Sequence, residues 1–248
     1  MIRSTPSSSR RRNPVAIGFA AAMAVALLLL GYLGFLGYYG GPLFRFVPAP
    51  PRVAAPAPGT VAVMFSGDSG FNAGMTPHIG RALAAHGLPV IEVNSLTAFR
   101  DGRTPAQTAA LVEDATRRAL DLPGAARVVL IGQSFGADML QYGASVLPRA
   151  LRPRVRQLLF AVPGDTLLFR ASPNGIFDGA PDRAALPSAR RIDWAPVLCV
   201  HGAEESNSLC PSWRQRNVRV VTLPGDHYLH HDPDRLFATL WQAIRAGR

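Results

Sequence analysis

Short runs of apolar, often β-branched residues recur along the chain from residue 60 onward and predict buried strands. These runs are Thr60–Phe65, Pro89–Asn94, Arg127–Ile131, Val155–Val162, Pro196–His201 and Val218–Leu223. Nearly continuous apolar runs are typical of parallel sheets that are covered on both faces. Helical segments separate them, and three begin with a capping residue before proline, at Thr76-Pro77, Thr104-Pro105 and Asp232-Pro233. This alternation predicts an α/β domain over residues 60–248, with a mostly parallel sheet of about six strands flanked by helices.

The longest apolar run lies near the N-terminus and predicts a transmembrane helix. Residues Val15–Phe44 carry no formal charge and follow three consecutive arginines, Arg10–Arg12. About 20 apolar residues span a bilayer, whereas a cleaved signal peptide has an apolar region of roughly 7–15. We expect residues 1–14 to be a cytoplasmic basic tail and residues 15–39 a signal anchor in the inner membrane, with the main domain in the periplasm. The alternative is a long signal cleaved near Val53-Ala54-Ala55, which also leaves the domain outside the cytoplasm.

Proline and alanine dominate residues 40–59 and predict a stalk. This segment contains six prolines, a composition that favours an extended, semi-rigid chain. We expect the stalk to hold the domain near the membrane without packing into the domain.

Composition and charge exclude several classes of protein. With 48 % hydrophobic and 17 % charged residues among 248, the chain is too apolar to be an extended disordered tail. Residues 1–59 hold six arginines and no acid, so the remaining 20 basic residues face all 16 acids and leave a charge of +4. No arginine-rich face with interleaved aromatic residues stands out, so we expect no nucleic-acid partner. The two cysteines and six histidines lack zinc-ligand spacing, and we expect no metal.

The sequence Gly132-Gln133-Ser134-Phe135-Gly136 follows a predicted strand and precedes a helical pattern. Two glycines at this spacing permit the tight turn that raises a serine hydroxyl above the edge of a sheet. We therefore predict Ser134 as a nucleophile, with the backbone N–H of Phe135 directed at a developing oxyanion. The alternative is a purely structural turn.

A nucleophilic serine needs a base, and a histidine after the last strand suits that role. His227 lies directly between the last predicted strand and the final helix. His230 and His231 are the alternatives.

The base in turn needs an orienting carboxylate, expected after the strand Pro196–His201. Glu205 fits the common spacing of a glycine followed three residues later by an acid, counted from Gly202. Glu204 and Asp165 remain alternatives.

The turn after the first strand of the domain, Ser66–Gly70, is expected to complete the oxyanion hole. Its glycines allow a main-chain N–H of Gly67 or Asp68 to approach a substrate oxygen. A phosphate-binding loop is the alternative, but the required lysine is missing from the sequence and we expect no nucleotide cofactor.

Several of these stretches together resemble the bacterial VirJ/AcvB virulence-protein family. They are VAVMFSGDSGF, VIEVNSLTAFRDGRTPAQTA, VVLIGQSFGADML, PVLCVHGAEESNSLCP and LPGDHYLHHD. The resemblance implies an α/β-hydrolase fold, with Ser134 and His227 at the positions of nucleophile and base. Asp138 matches the acid of the family's Ser-Phe-Gly-Ala-Asp motif. The chain departs from the family at Gly225-Asp226-His227-Tyr228, where Gly-Gly-His-His is usual, and near Asn207, where an acid is replaced.

The resemblance also implies a function at the membrane. We expect a periplasmic serine hydrolase that cleaves the aminoacyl ester of aminoacyl-phosphatidylglycerol, of lysyl or alanyl type, without a cofactor. Its partners would be membrane phospholipid and secretion-system proteins. The alternatives are a non-catalytic accessory protein of type IV secretion, and a general esterase or thioesterase.

Three further expectations concern the surroundings of the site. An aminoacyl ester carries an ammonium group, which Asp68 or Asp138 would bind, although Asp138 is also suited to hold neighbouring loops. Cys199 and Cys210 bracket the predicted acid, and outside the cytoplasm we expect them to form a disulfide. The segment 164–195 has no confident assignment, and its apolar residues either cover the site as a lid or pack inside; these are Leu167, Leu168, Phe169, Ile176 and Phe177.

Overall fold

The computed structural model describes residues 14–176 and 178–247 and centres on a seven-stranded sheet. The strands of this sheet are β1 (Phe44–Val47), β2 (Thr60–Phe65), β3 (Val90–Val93), β4 (Arg127–Gln133), β5 (Val155–Ala161), β8 (Val197–Gly202) and β9 (Val218–Leu223). Their order is β1-β3-β2-β4-β5-β8-β9, and every neighbouring pair is parallel except β1 with β3. A separate antiparallel pair consists of β6 (Thr166–Leu167) and β7 (Arg183–Ala184). The arginines of the expected cytoplasmic tail and Phe177 lie outside the described residues.

Helices cover both faces of the sheet, and the predicted α/β architecture is confirmed. The helices are α1 (Pro14–Leu36), α2 (Thr76–Ala85), α3 (Ser95–Phe99), α4 (Pro105–Leu120), α5 (Phe135–Ser145), α6 (Leu186–Ala189) and α7 (Pro233–Ala246). Along β2, Val61, Val63 and Phe65 pack on the side of α3, α4 and α5. Ala62 and Met64 pack on the side of α2 and α7. The alternation of side chains along a strand thus feeds two apolar cores.

Two of the three predicted helix caps are present. The Thr104 hydroxyl accepts a hydrogen bond from the Gln107 N–H in a capping box, and Asp232 accepts from the Arg235 N–H. The prediction for Thr76 was wrong, because Met75 occupies the N-cap position of α2. The Thr76 hydroxyl instead donates to Gln133 Oε1 over 2.9 Å, and this buried contact ties α2 to the end of β4.

The strand β1 lies inside the segment expected to be a free stalk, and the expectation was wrong for these residues. Arg45 pairs in register with Glu92 of β3, and its Nε donates to Glu92 Oε2 over 2.6 Å. The sheet therefore has seven strands instead of about six. Four residues flanked by glycines and prolines carry too weak a strand signal, and the pairing that stabilises them lies outside the segment.

The helix α1 projects from the domain. Its segment Ile17–Leu36 is long and apolar enough to cross a membrane, and only 6 % of its most apolar window is buried in the protein. Its last residue, Leu36, is fully buried against the domain. Among the described residues of the helix, burial against the domain is therefore confined to its C-terminal end.

Candidate active site

Ser134 stands on a sharp turn between β4 and α5. Its backbone has φ 52° and ψ −128°, a conformation that residues other than glycine rarely adopt. A Cβ at position 136 would collide with the Ser66 and Phe65 carbonyl oxygens, and one at position 132 would lie 2.6 Å from the Ala137 Cα. Only glycine fits at either position, and this is why the motif has glycine two residues before and two residues after the serine.

Three side chains from separate loops form a continuous chain of hydrogen bonds. Ser134 Oγ lies 2.7 Å from His227 Nε2, and His227 Nδ1 lies 2.6 Å from Glu205 Oε1. The Glu205 side chain is only 1 % exposed, and its Oε2 accepts a hydrogen bond from the Gly202 N–H over 3.3 Å. A carboxylate held in this way fixes the imidazole so that Nε2 faces the serine hydroxyl.

The structure brings none of the alternative acids and bases into this chain of hydrogen bonds. Glu204 and Asp165 are exposed, so the structure brings Glu205 and neither of these to His227. His231 lines the same cavity as Ser134 and stacks on Tyr228 with ring centroids 5.3 Å apart. His230 adopts a left-handed backbone conformation in the following turn.

The predicted disulfide between Cys199 and Cys210 is confirmed, with Cα atoms 5.5 Å apart. It joins β8 to the end of the loop that carries Glu205. Backbone hydrogen bonds hold the same loop on its other side, from the Asp165 N–H to the Asn207 carbonyl and from the Leu209 N–H to the Pro163 carbonyl. Glu205 thus lies between the end of β8 and a loop end that the disulfide and these hydrogen bonds hold in place.

Ser134 opens into a cavity of about 370 Å³. Its lining includes Gly67, Asp68, His227 and Asn174. A side-chain carbon at position 67 would come within 3.6 Å of the Ser134 Cβ, so the turn after β2 lies directly beside the serine. The Phe135 N–H belongs to the first turn of α5, where helix N–H groups have no acceptor in the preceding turn.

Asp68 places a carboxyl group in this cavity. Burial and, secondarily, the Asp178 carboxylate raise its pKa above the ordinary value, while the imidazole of His227 opposes the shift. The Ser69 hydroxyl beside it donates to Asn174 Oδ1 over 2.7 Å. One wall of the cavity therefore carries a carboxyl group that is partly shielded from water.

Asp138 lies outside the lining of the cavity. Its Oδ1 accepts a hydrogen bond from the Gly164 N–H over 2.8 Å, and Gly164 belongs to the segment that pairs with the Glu205 loop. Burial raises the Asp138 pKa well above its ordinary value, and the nearby charge of Glu205 adds to the shift. These contacts match the loop-holding alternative better than contact with a substrate.

The segment 164–195 packs partly into the core and partly beside the cavity. Leu167 and Phe169 are buried, Leu168 is half-buried, and Ile176 is 69 % exposed. Asn174 reaches the cavity from this segment, and Tyr32 reaches it from α1. Neither residue is marked by a local motif in the sequence, because each side chain arrives from a distant segment.

A comparison with family models matches residues 59–248 to the family described as "Bacterial virulence protein (VirJ)". The chain belongs to the VirJ family. The match covers the whole sheet except β1 and includes Ser134, Glu205 and His227. No curated protein matches this VirJ-family chain in sequence.

Solved structures with the same architecture are α/β hydrolases. Est1E from Butyrivibrio proteoclasticus is 15 % identical, with a TM-score of 0.60 over 83 % of this chain and 94 % of its own. The α/β hydrolase GrgF from Penicillium is 13 % identical, with a TM-score of 0.61 over 82 % and 92 %. An esterase domain from Rhodothermus marinus is 16 % identical, with a TM-score of 0.56 over 84 % and 94 %. At these identities the likeness establishes that this VirJ-family chain has the α/β-hydrolase fold.

Proposed function

We propose that this protein is a membrane-anchored periplasmic serine hydrolase that cleaves the aminoacyl ester of aminoacyl-phosphatidylglycerol. The observation that carries the proposal is the hydrogen-bonded chain from Ser134 through His227 to Glu205, with the serine at a strained turn facing a cavity. The VirJ family and the hydrolase fold agree with this reading, and α1 supplies the proposed anchor.

The first half of the reaction forms an acyl-enzyme. His227 Nε2 accepts the proton of Ser134 Oγ while Oγ attacks the aminoacyl carbonyl carbon. The backbone N–H of Phe135 and one from the Gly67–Asp68 turn stabilise the negative charge on the carbonyl oxygen. The ester bond to the glycerol headgroup then breaks, and the leaving oxygen takes the proton from Nε2, which releases phosphatidylglycerol.

The second half releases the amino acid. His227 Nε2 accepts a proton from a water molecule, whose oxygen attacks the acyl-enzyme carbonyl. The same donors stabilise the second tetrahedral intermediate. The bond to Ser134 Oγ breaks, Oγ regains the proton, and the free amino acid leaves. Glu205 stabilises the imidazolium that forms twice in this cycle.

Asp68 is the proposed ligand of the substrate ammonium group. It lines the cavity together with Ser134, and its partial burial strengthens an ion pair with a cation. An Asp68→Asn variant is expected to lose activity on an aminoacyl ester and to retain more of it on a neutral ester of similar size. Equal losses on both would contradict the assignment.

Lipid analysis of cells that express the wild type or Ser134→Ala tests the proposed function. We expect the wild type to deplete aminoacyl lipids, and the variant to reduce turnover by at least about a thousandfold because it removes the nucleophile. Identical depletion by both proteins would overturn the proposal. Hydrolysis of soluble esters or thioesters without lipid depletion would indicate a general esterase or thioesterase, and no hydrolysis at all a non-catalytic accessory protein.

A further inference from the structure

We propose that the last turns of α1 form one wall of the cavity beside Ser134, here called the cleft. The cleft then opens at the membrane surface and receives a lipid headgroup ester from within the bilayer. This inference deepens the proposed function and rests on it for the bilayer around α1. It starts from Tyr32, a residue of α1 that lines the same cavity as Ser134, Asp68 and His227.

The C-terminal end of α1 is hydrogen-bonded to the domain. Carbonyl groups at the end of a helix have no partner within the helix, and here side chains of the domain supply the donors. These bonds run from Asn72 Nδ2 to the Phe35 carbonyl (2.7 Å), from Asn94 Nδ2 to Leu36 (3.2 Å), from Thr97 Oγ1 to Gly37 (2.9 Å) and from Arg100 to Tyr38 (3.0 Å). The helix is therefore docked at a defined position instead of hanging on a free linker.

The strand β1 fixes the chain that follows the helix. Arg45 of this strand donates to Glu92 and to the Phe71 carbonyl, and also to Asn72 Oδ1 over 3.0 Å. Asn72 thus joins β1 to the end of α1. The helix, the turn after it and β1 form a single unit on the edge of the sheet.

The contacts of this unit favour retention of the N-terminal segment that contains α1 and β1. Cleavage near Val53-Ala54-Ala55 would remove α1 together with β1. Glu92, whose side chain is 1 % exposed, would then lose the guanidinium of Arg45. The Arg45 guanidinium opposes the cost of burying this carboxylate, so the segment that a signal peptidase would remove stabilises the folded domain.

The depth of Tyr32 sets where the cleft lies relative to the bilayer. The 20 residues of Ile17–Leu36 extend for about 30 Å, the thickness of the hydrocarbon core. Tyr32 precedes Leu36 by four residues, so it lies about 6 Å from the outer end of the helix. The outer end of the helix lies at the boundary of the hydrocarbon core, near which tyrosine side chains are favoured. A lipid whose headgroup ester lies just outside this boundary therefore reaches Ser134 along α1 without leaving the bilayer.

Proteolysis of the full-length protein in vesicles tests the position of α1 independently of any lipid substrate. A site for a specific protease is placed in the exposed segment 51–54, and the membranes are washed with salt after cleavage. We expect the cut domain to stay in the membrane pellet and to be released only by denaturant. Release by the salt wash of a domain that still hydrolyses a soluble ester would overturn the proposal.

Two tyrosine variants test the wall itself. Tyr32 and Tyr39 are similarly exposed, at 47 % and 55 %, and flank the same helix end, but Tyr39 lies outside the cavity lining. Rates are measured on aminoacyl-phosphatidylglycerol in phosphatidylglycerol vesicles and on a short-chain water-soluble ester. We expect Tyr32→Ala to lower the ratio of lipid to soluble turnover about tenfold, the effect of one lost aromatic contact, and Tyr39→Ala to leave it unchanged.

Equal ratios in the two variants would overturn the assignment of Tyr32. A wild-type protein that hydrolyses the soluble ester and not the lipid would instead contradict the proposed function, and the proteolysis result would still decide whether α1 is docked.

Discussion

The centre of the sheet and its N-terminal edge differ in how far apart in the sequence their interacting residues lie. At the centre, β4, Ser134 and α5 follow one another directly, and the glycines that the turn requires lie within five residues. At the edge, β1 is stabilised by β3, and Arg45 is 47 residues from its partner Glu92. The motif at the centre can therefore be recognised in a short stretch of sequence. At the edge, β1 depends on pairing with β3, and no short stretch contains both strands.

The centre and the edge of the sheet also differ in how their buried carboxyl groups are stabilised. Burial raises the pKa of both Asp138 near the centre and Glu92 at the edge. Glu92 receives a guanidinium from Arg45, which opposes the shift. Asp138 receives one backbone N–H from Gly164 and faces the charge of Glu205. We expect the stability of the buried Glu92 to depend on its ion pair with Arg45, which is distant in the sequence. Asp138 is expected to act by holding the segment of Gly164, which pairs with the Glu205 loop.

The largest effect is expected at the centre, from Glu205→Gln. The amide disturbs the tautomer and the charge stabilisation of His227, so we expect turnover of a soluble ester to fall about a thousandfold or more. Glu204→Gln, an exposed neighbour on the same loop, is the matched control and should keep its rate. Turnover numbers and thermal unfolding are measured for both variants. Equal losses of turnover in the two variants would contradict the role of Glu205 as the acid that orients His227.

The same comparison explains how much the sequence could predict. The six predicted strands all form. Five of them are apolar runs whose residues are almost all buried, and such runs leave a strong signal in any short window. The sixth, β9, is exposed or half-buried over most of its length and is marked instead by its β-branched residues. The edge strand β1 and the two-residue strands β6 and β7 leave little. Within the cleft, Ser134, Glu205 and His227 follow strands in the expected order and converge. Tyr32 and Asn174 enter from distant segments, and only the tertiary packing brings them to the site.

A smaller effect is expected at the edge, from Arg45→Ala. Removing the guanidinium leaves the Glu92 carboxylate buried, but Arg45 is 37 % exposed and water screens part of its charge. We expect the free energy of unfolding to fall by about 2 kcal/mol. Arg52→Ala, at an exposed arginine of the neighbouring segment, should leave stability unchanged. Denaturant unfolding measures both.

The pH dependence of the Arg45→Ala defect distinguishes charge from packing. Without Arg45, nothing from that side chain opposes the upward shift of the Glu92 pKa, so the folded variant holds its proton to a higher pH than the unfolded chain does. Its stability then falls as the pH rises through that interval. The difference from the wild type should shrink in acid, and a difference that is constant with pH would indicate lost packing instead.

The smallest effect is expected from Asp138→Asn, and its sign is opposite. Asparagine keeps an oxygen that accepts the Gly164 N–H but cannot ionise. In the wild type, the raised pKa means that the folded state binds more protons than the unfolded state above the ordinary carboxyl pKa of 3.8, so the free energy of unfolding falls with rising pH. We expect the variant to match the wild type in acid and to exceed its stability at neutral pH, and denaturant unfolding of both proteins at the two pH values provides the measurement.

Activity measurements on the same variant separate the two roles of Asp138. If its carboxyl group only holds the segment that pairs with the Glu205 loop, Asp138→Asn should change turnover of an aminoacyl ester and of a neutral ester by the same small factor. Binding of the substrate ammonium by Asp138 would instead lower turnover of the aminoacyl ester alone, as we expect for Asp68→Asn. Such a selective loss would contradict the loop-holding role. Aspartate and asparagine at position 138 can both accept the hydrogen bond from the Gly164 N–H, and this bond does not depend on the charge of the substrate.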